Sequence, residues 1–142
     1  MKNVSSKLVV VMLCLALFSA CRSSKTVLVN YPTDIAYELV RQTDIRSWRL
    51  MPEAEAAPII KKIRQQYVEN GAWPDDVRQA EERHDARALS FEAGDFYAVF
   101  WLFSQMYEGR RFDYFFSICF KKQNFDEVLF SGGGNCNLQY VE

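Results

Sequence analysis

The residues able to do acid–base or metal chemistry crowd into one short segment, Glu81-Glu82-Arg83-His84-Asp85, which holds the chain's single histidine. A zinc site needs three or four ligands converging in space. On a helix, residues 81, 82 and 85 fan around the axis, and only 81 and 85 share the neighbourhood of His84. The segment therefore reads as a solvated helix end. Nucleophilic catalysis needs a nucleophile, a base and an orienting group; one histidine allows one such base, and no Gly-x-Ser-x-Gly elbow marks a serine. Gly132-Gly133-Gly134 lacks the Lys-Ser/Thr of a phosphate-binding loop and reads as a flexible turn. Carboxylate pairs such as Glu92 with Asp95, or Glu108 with Asp113, arise by chance in any acidic domain. No catalytic residue, metal ligand or cofactor is expected, and a hydrolase ranks behind the binding readings below.

Cysteine chemistry is more informative. Of the four cysteines, Cys14 and Cys21 belong to a leader. Lys2 and Lys7 give it a positive start, Leu8 to Phe18 are uninterruptedly apolar, and Ser19-Ala20 supply small side chains. The apolar run of about eleven residues spans roughly 16 Å as a helix, too short for a hydrocarbon core of about 30 Å. Leu17-Phe18-Ser19-Ala20-Cys21 resembles the lipobox of bacterial lipoproteins. The resemblance implies a signal peptide over residues 1–20, cleavage before Cys21, and lipidation of its thiol and amine. Acyl chains anchor by burying methylenes, each contributing about 0.8 kcal/mol, and two or more chains hold stably. The lipidated Cys21 is expected to bear palmitate, and the residue after it is Arg22, not Asp, which in the enteric pattern implies placement in the outer membrane, facing the periplasm. Residues 21–25 then form a short tether, and residues 26–142 a single domain.

Cys14 leaves with the signal and Cys21 carries the lipid, so the body of the processed chain holds Cys119 and Cys136. In an oxidising periplasm an isolated pair is expected to bridge, closing a loop for roughly 3 kcal/mol in the chain-entropy account. Removal of Lys2 and Lys7 shifts the formal charge from −1 to more acidic values. With 17 basic against 18 acidic side chains, nothing favours nucleic acid through long-range charge. An apolar fraction of 49% likewise excludes disorder as the default.

The elements that must position these residues follow from periodicity. Thr26 to Tyr31 reads as a short strand stopped by Pro32. Ile35, Ala36, Leu39, Val40 and Thr43 form the stripe of a first helix. A second helix starts at Pro58, or at Glu53 if Pro58 kinks it; it turns Ile60, Ile63 and Tyr67 inward and stops at Asn70-Gly71. A third starts near Pro74, with Asp75 and Asp76 beside its positive end and a thin stripe of Val77, Ala80 and His84. From Ala88 onward, segments rich in β-branched and aromatic residues alternate with turns, the pattern of an antiparallel meander. The expected fold is α+β: N-terminal helices on one face of a C-terminal antiparallel meander of four to five strands, stapled by the Cys119–Cys136 bridge.

Both faces of Phe96 to Phe103 are apolar, so that strand is either covered twice or leaves one face for a partner. Arg110-Arg111 at a hairpin tip, beside Tyr107 and Phe112, has the Tyr and Arg composition of protein interfaces. Tyr97, Trp101, Tyr107, Arg110 and Arg111 are the candidate partner-binding residues. The leading expectation is a non-catalytic binding lipoprotein that engages a periplasmic or envelope protein, either as an inhibitor or immunity protein or as an accessory factor of an envelope machine. The alternative is a carrier of a small hydrophobic ligand or lipid, with the aromatic cluster as cavity wall.

Overall fold

A computed structural model describes residues 27–29 and 33–138; the leader, Cys21 and the tether lie outside the described residues. The element order is β1 (Val27–Val29), α1 (Thr33–Thr43), β2 (Arg49–Leu50), α2 (Glu53–Glu69), α3 (Asp75–Glu82), β3 (Arg87–Ala93), β4 (Phe96–Tyr107), β5 (Arg110–Lys121) and β6 (Val128–Leu138). The strands form one sheet of order β1-β6-β5-β4-β3-β2. Five of them are antiparallel, and β1 joins β6 in parallel. The architecture is α+β.

Local chemistry accounts for the element ends. α2 begins at Glu53 and carries Pro58 inside, where both Pro58 and Ala54 are exposed, so the carbonyl that loses its donor meets water. It ends in a left-handed residue, Gly71 at φ +68°, with Ala72 N–H donating to the Tyr67 carbonyl. α3 closes the same way on a residue that is not glycine: His84 sits at φ +59°, and Asp85 N–H donates to the Ala80 carbonyl. Glu108 and Gly109, at φ +49° and +76°, make the two-residue β4–β5 turn, whose twist suits a tight hairpin.

Two apolar layers flank the sheet. Ile35 and Leu39 of α1 pack on Leu89, Phe91, Ala98, Phe100, Leu102, Phe115, Cys119 and Cys136. On the opposite face, Ile63 of α2 with Val77 and Ala80 of α3 pack on Val99, Trp101, Phe103, Ile118 and Phe120. The helices thus divide between the two faces instead of sharing one. The two-sided apolar pattern of β4 has this cause: it is an inner strand, between β3 and β5, with helices above and below.

Two further expectations are corrected. The Cys119–Cys136 disulfide does not form, and both thiols are buried and free. Cys136 lies opposite Asp113, whereas Cys119 lies opposite Phe130. The six steps along β5 from 113 to 119 separate them by roughly 20 Å at about 3.4 Å per residue, and a bridge needs Cα atoms within about 7 Å. The glycine triplet is not a turn that swings Cys136 back. It runs inside β6, where Gly132, Gly133 and Gly134 pair with Ser117, Phe116 and Phe115. A Cβ on Gly133 would stand 2.6 Å from the Phe115 carbonyl oxygen, so only glycine permits this approach.

Candidate functional site

The β4–β5 hairpin outruns its neighbour on one side. β3 flanks β4 only as far as Leu102, opposite Arg87. Phe103 to Tyr107 continue beyond it, paired to β5 through Arg110, an overhang of roughly 17 Å at about 3.4 Å per residue. At its end Met106 and Tyr107 are 68% and 64% exposed, and Phe112 is 38% exposed. Arg110 and Arg111 are exposed beside them. Alternation puts Tyr107 with Arg110 and Gln105 with Phe112 on one face, and Met106 with Arg111 on the other. Towards the body the first face continues into Phe103 and Tyr114, whose rings stack at 5.8 Å.

A polar network fixes the root of this hairpin. Ser104 Oγ donates to Asp113 Oδ1 at 2.6 Å and accepts from Arg111 at 2.9 Å and 3.1 Å. Arg83, just past α3, donates to the Ser104 carbonyl at 3.3 Å and to Asp85 Oδ2 at 3.2 Å. The Ser104 oxygen spends its lone pairs on a guanidinium and its proton on a carboxylate, an arrangement that stiffens the overhang rather than presenting a nucleophile. Between α3 and the hairpin lies a cleft of about 640 Å³ lined by Gln79, Arg83, His84, Asp85, Ser104, Gln105, Met106 and Arg111. His84 is exposed at the cleft wall, where a backbone stop holds it, and among the described residues no acid pairs with it. Among the described residues, no three His, Cys, Asp or Glu side chains are placed to hold a metal ion.

The five candidate contact residues lie in three places. Tyr107, Arg110 and Arg111 share the hairpin end. Trp101 is only 2% exposed and presents nothing to a partner, which corrects its candidacy. Its indole packs edge-on to Trp73 at 4.8 Å and against Phe116 at 5.9 Å. Tyr97 is half-buried at the far end of β4 beside Phe120 and Phe125, with the Lys122 ammonium 5.0 Å from its ring centre. The aromatic cluster is thus packed core, with Trp101, Phe103 and Phe120 all at 2% exposure or less.

A second groove, of about 720 Å³, lies between α2 and the outer edge of β3. Ala56, Ala57, Ala86 and Ala88 line it with Leu50, Met51 and Ile60. The small side chains leave the space: a larger residue at any of these alanines would fill it. On the helix wall, Arg64 is held in a fork by Glu81 at 2.8 Å and 2.9 Å and lies over the Trp73 ring, while the carboxylate raises its pKa further. Sequence reasoning missed this groove, because its walls come from segments some thirty residues apart and alanine carries no pattern of its own.

No family model, curated protein or solved structure matches the chain.

Proposed function

We propose that this chain is a lipid-anchored protein of the bacterial outer membrane that faces the periplasm and binds another envelope protein through the β4–β5 hairpin, without catalysing a reaction. The anchor rests on the leader sequence ending at Cys21. The binding surface rests on one observation, the overhanging hairpin end with Met106, Tyr107 and Phe112 exposed beside two arginines. Exposed apolar and aromatic side chains next to arginine are the usual makeup of an interface centre. The stiff root supports the same reading, since a pre-ordered loop loses less freedom on binding. Inhibition of a toxic enzyme and support of an envelope machine both use such a surface.

Photocrosslinking tests this directly. A benzoyl-phenylalanine at Tyr107, introduced into the full chain in cells, gives one reproducible protein adduct, and Arg110→Glu reduces its yield. Equal adduct patterns at Tyr107 and at an exposed position far from the hairpin, such as Lys62, would sink the binding surface. Metabolic labelling with palmitate marks the product only while Cys21 is present; an unmarked product, with fractionation unchanged in Cys21→Ala, would sink the anchor.

A further inference from the structure

We propose that the groove between α2 and β3 receives an extended segment of a partner protein, which adds to the sheet as a strand along the open edge of β3. The inference rests on the reading of the chain as a protein-binding module, but not on the hairpin.

The edge is open for a stated reason. β2 pairs with β3 only at Glu92 and Phe91, and Met51 N–H then donates to the Ser90 carbonyl at 2.9 Å. Pro52, at φ −55° and ψ 146°, turns the chain into α2 one residue later. The line that β2 would follow past Ser90 is therefore vacant. Backbone groups facing one side of an antiparallel strand recur at every second residue. Those of Ser90 face β2, so those of Ala88 face the same way, into the groove. Among the described residues Ala88 has no backbone partner on that side. An extended peptide supplies both a carbonyl and an N–H at the needed spacing, and a lipid chain supplies neither.

The walls narrow the chemistry of the occupant. α2 stands alongside the edge and turns Ala56, Ala57 and Ile60 to the space, so alternate side chains of the added strand meet a shallow apolar wall that takes small to medium residues. Lys61 is exposed at the rim, while Glu53 is the one carboxylate among the lining residues. Arg64 is already committed to Glu81. With Arg87 also on the wall, the lining holds more basic than acidic side chains, which fits an acidic side chain or a terminal carboxylate beside the apolar positions. The occupant is thus a short, extended, acidic-apolar protein segment.

The test uses the full chain in detergent micelles and a phage-displayed library of random linear heptapeptides, with empty micelles as the control. Enriched peptides alternate apolar positions and carry an acid, and a fluorescein-labelled copy binds with a saturable rise in anisotropy. Ala57→Trp fills the groove from an exposed helix position and weakens that binding by about tenfold or more. Ala88→Pro removes the outward N–H at an edge position where proline is tolerated, and has the same effect. If Ala88→Pro fails to fold, Ala57→Trp decides alone. Tyr107→Ala leaves peptide affinity unchanged. The proposal is overturned by no enrichment over empty micelles, or by equal binding to wild type and Ala57→Trp. It is overturned equally by a lipid that extracts from wild type but not from Ala57→Trp, or by a dimer that Ala57→Trp dissolves. Loss of peptide binding with the Tyr107 crosslink intact would remove this groove and leave the hairpin reading standing; the reverse would remove the hairpin alone.

Discussion

Cys119 and Cys136 carry the chain's most strongly shifted side-chain chemistry among the described residues. Burial pushes both thiols up to about 12, and Asp113 adds to the effect at Cys136. They are neutral at physiological pH, and since the thiolate is the nucleophile, neither is a reactive cysteine. Alkylation by iodoacetamide followed by peptide mapping is expected to leave both unmodified in the native chain and to modify both in denaturant; recovery of a disulfide-linked peptide would contradict the register of β5 and β6. The pH dependence has a definite sign. The fold favours the neutral thiol, so this contribution is complete below the unfolded value of about 8.5 and is lost as pH rises towards the folded value. Cys119→Ala is expected to flatten the alkaline limb of a thermal-stability profile, although it removes a packed side chain at neutral pH.

Among the elements, β6 shows how one missing side chain sets a strand pairing. Gly133 has the Phe115 carbonyl in the position a Cβ would take, whereas a Cβ on Gly132 meets nothing within 4 Å. Gly133→Ala is expected to lower stability by about 1–3 kcal/mol, the usual range for forced overpacking. Gly132→Ala, one residue away in the same strand, is expected to stay within about 0.5 kcal/mol of wild type, as for a change that disturbs no packing. Urea midpoints at constant slope measure both. Equal effects would mean that β-propensity, and not the close backbone approach, governs the site. The hairpin depends on a different device. Glu108 and Gly109 hold the turn, and the Ser104–Asp113–Arg111 network ties its root, so its exposed end is displayed by an ordered support.

Across the whole molecule, Glu92 joins parts distant in sequence. Its carboxylate accepts from Arg49 of β2 and, at 3.0 Å, from Lys122 beyond the end of β5. The Arg49 and Lys122 donors hold its pKa below the usual carboxylate range, against a smaller opposing effect of burial. A lowered folded value means stability that is present above the ordinary glutamate range, about 4.3, and lost as pH falls below it. Glu92→Gln is expected to reduce stability at pH 7 and to make the acid limb shallower, read by thermal melts between pH 3 and pH 7. An acid limb identical to wild type would show that the pairs are too solvated to matter.

The chain's own order of residues determined much of this protein. Tyr67, Ile63 and Ile60 recur at helical spacing, so α2 and its inner face were legible, as was the stop at Gly71. The alternation in Phe112 to Phe120 and the Glu108-Gly109 turn marked the hairpin, and its arginines and Tyr107 stood out by composition. The double-sided β4 was either covered twice or left one face for a partner, and the layers packed on both its faces decide for the first. Only the tertiary structure decided that α1 takes one face and α2 with α3 the other, because an apolar stripe states how much must be buried and not against which side of the sheet. Register, too, is a long-range quantity. It set Cys136 against Asp113 and kept the two thiols apart, and it drew the glycine triplet into β6 because adjoining backbone, unseen in any local pattern, needs the room. Trp101 was ambiguous for the same reason: a large aromatic signals burial in a core or in an interface, and only the packing of Trp73 and Phe116 around it separates the two.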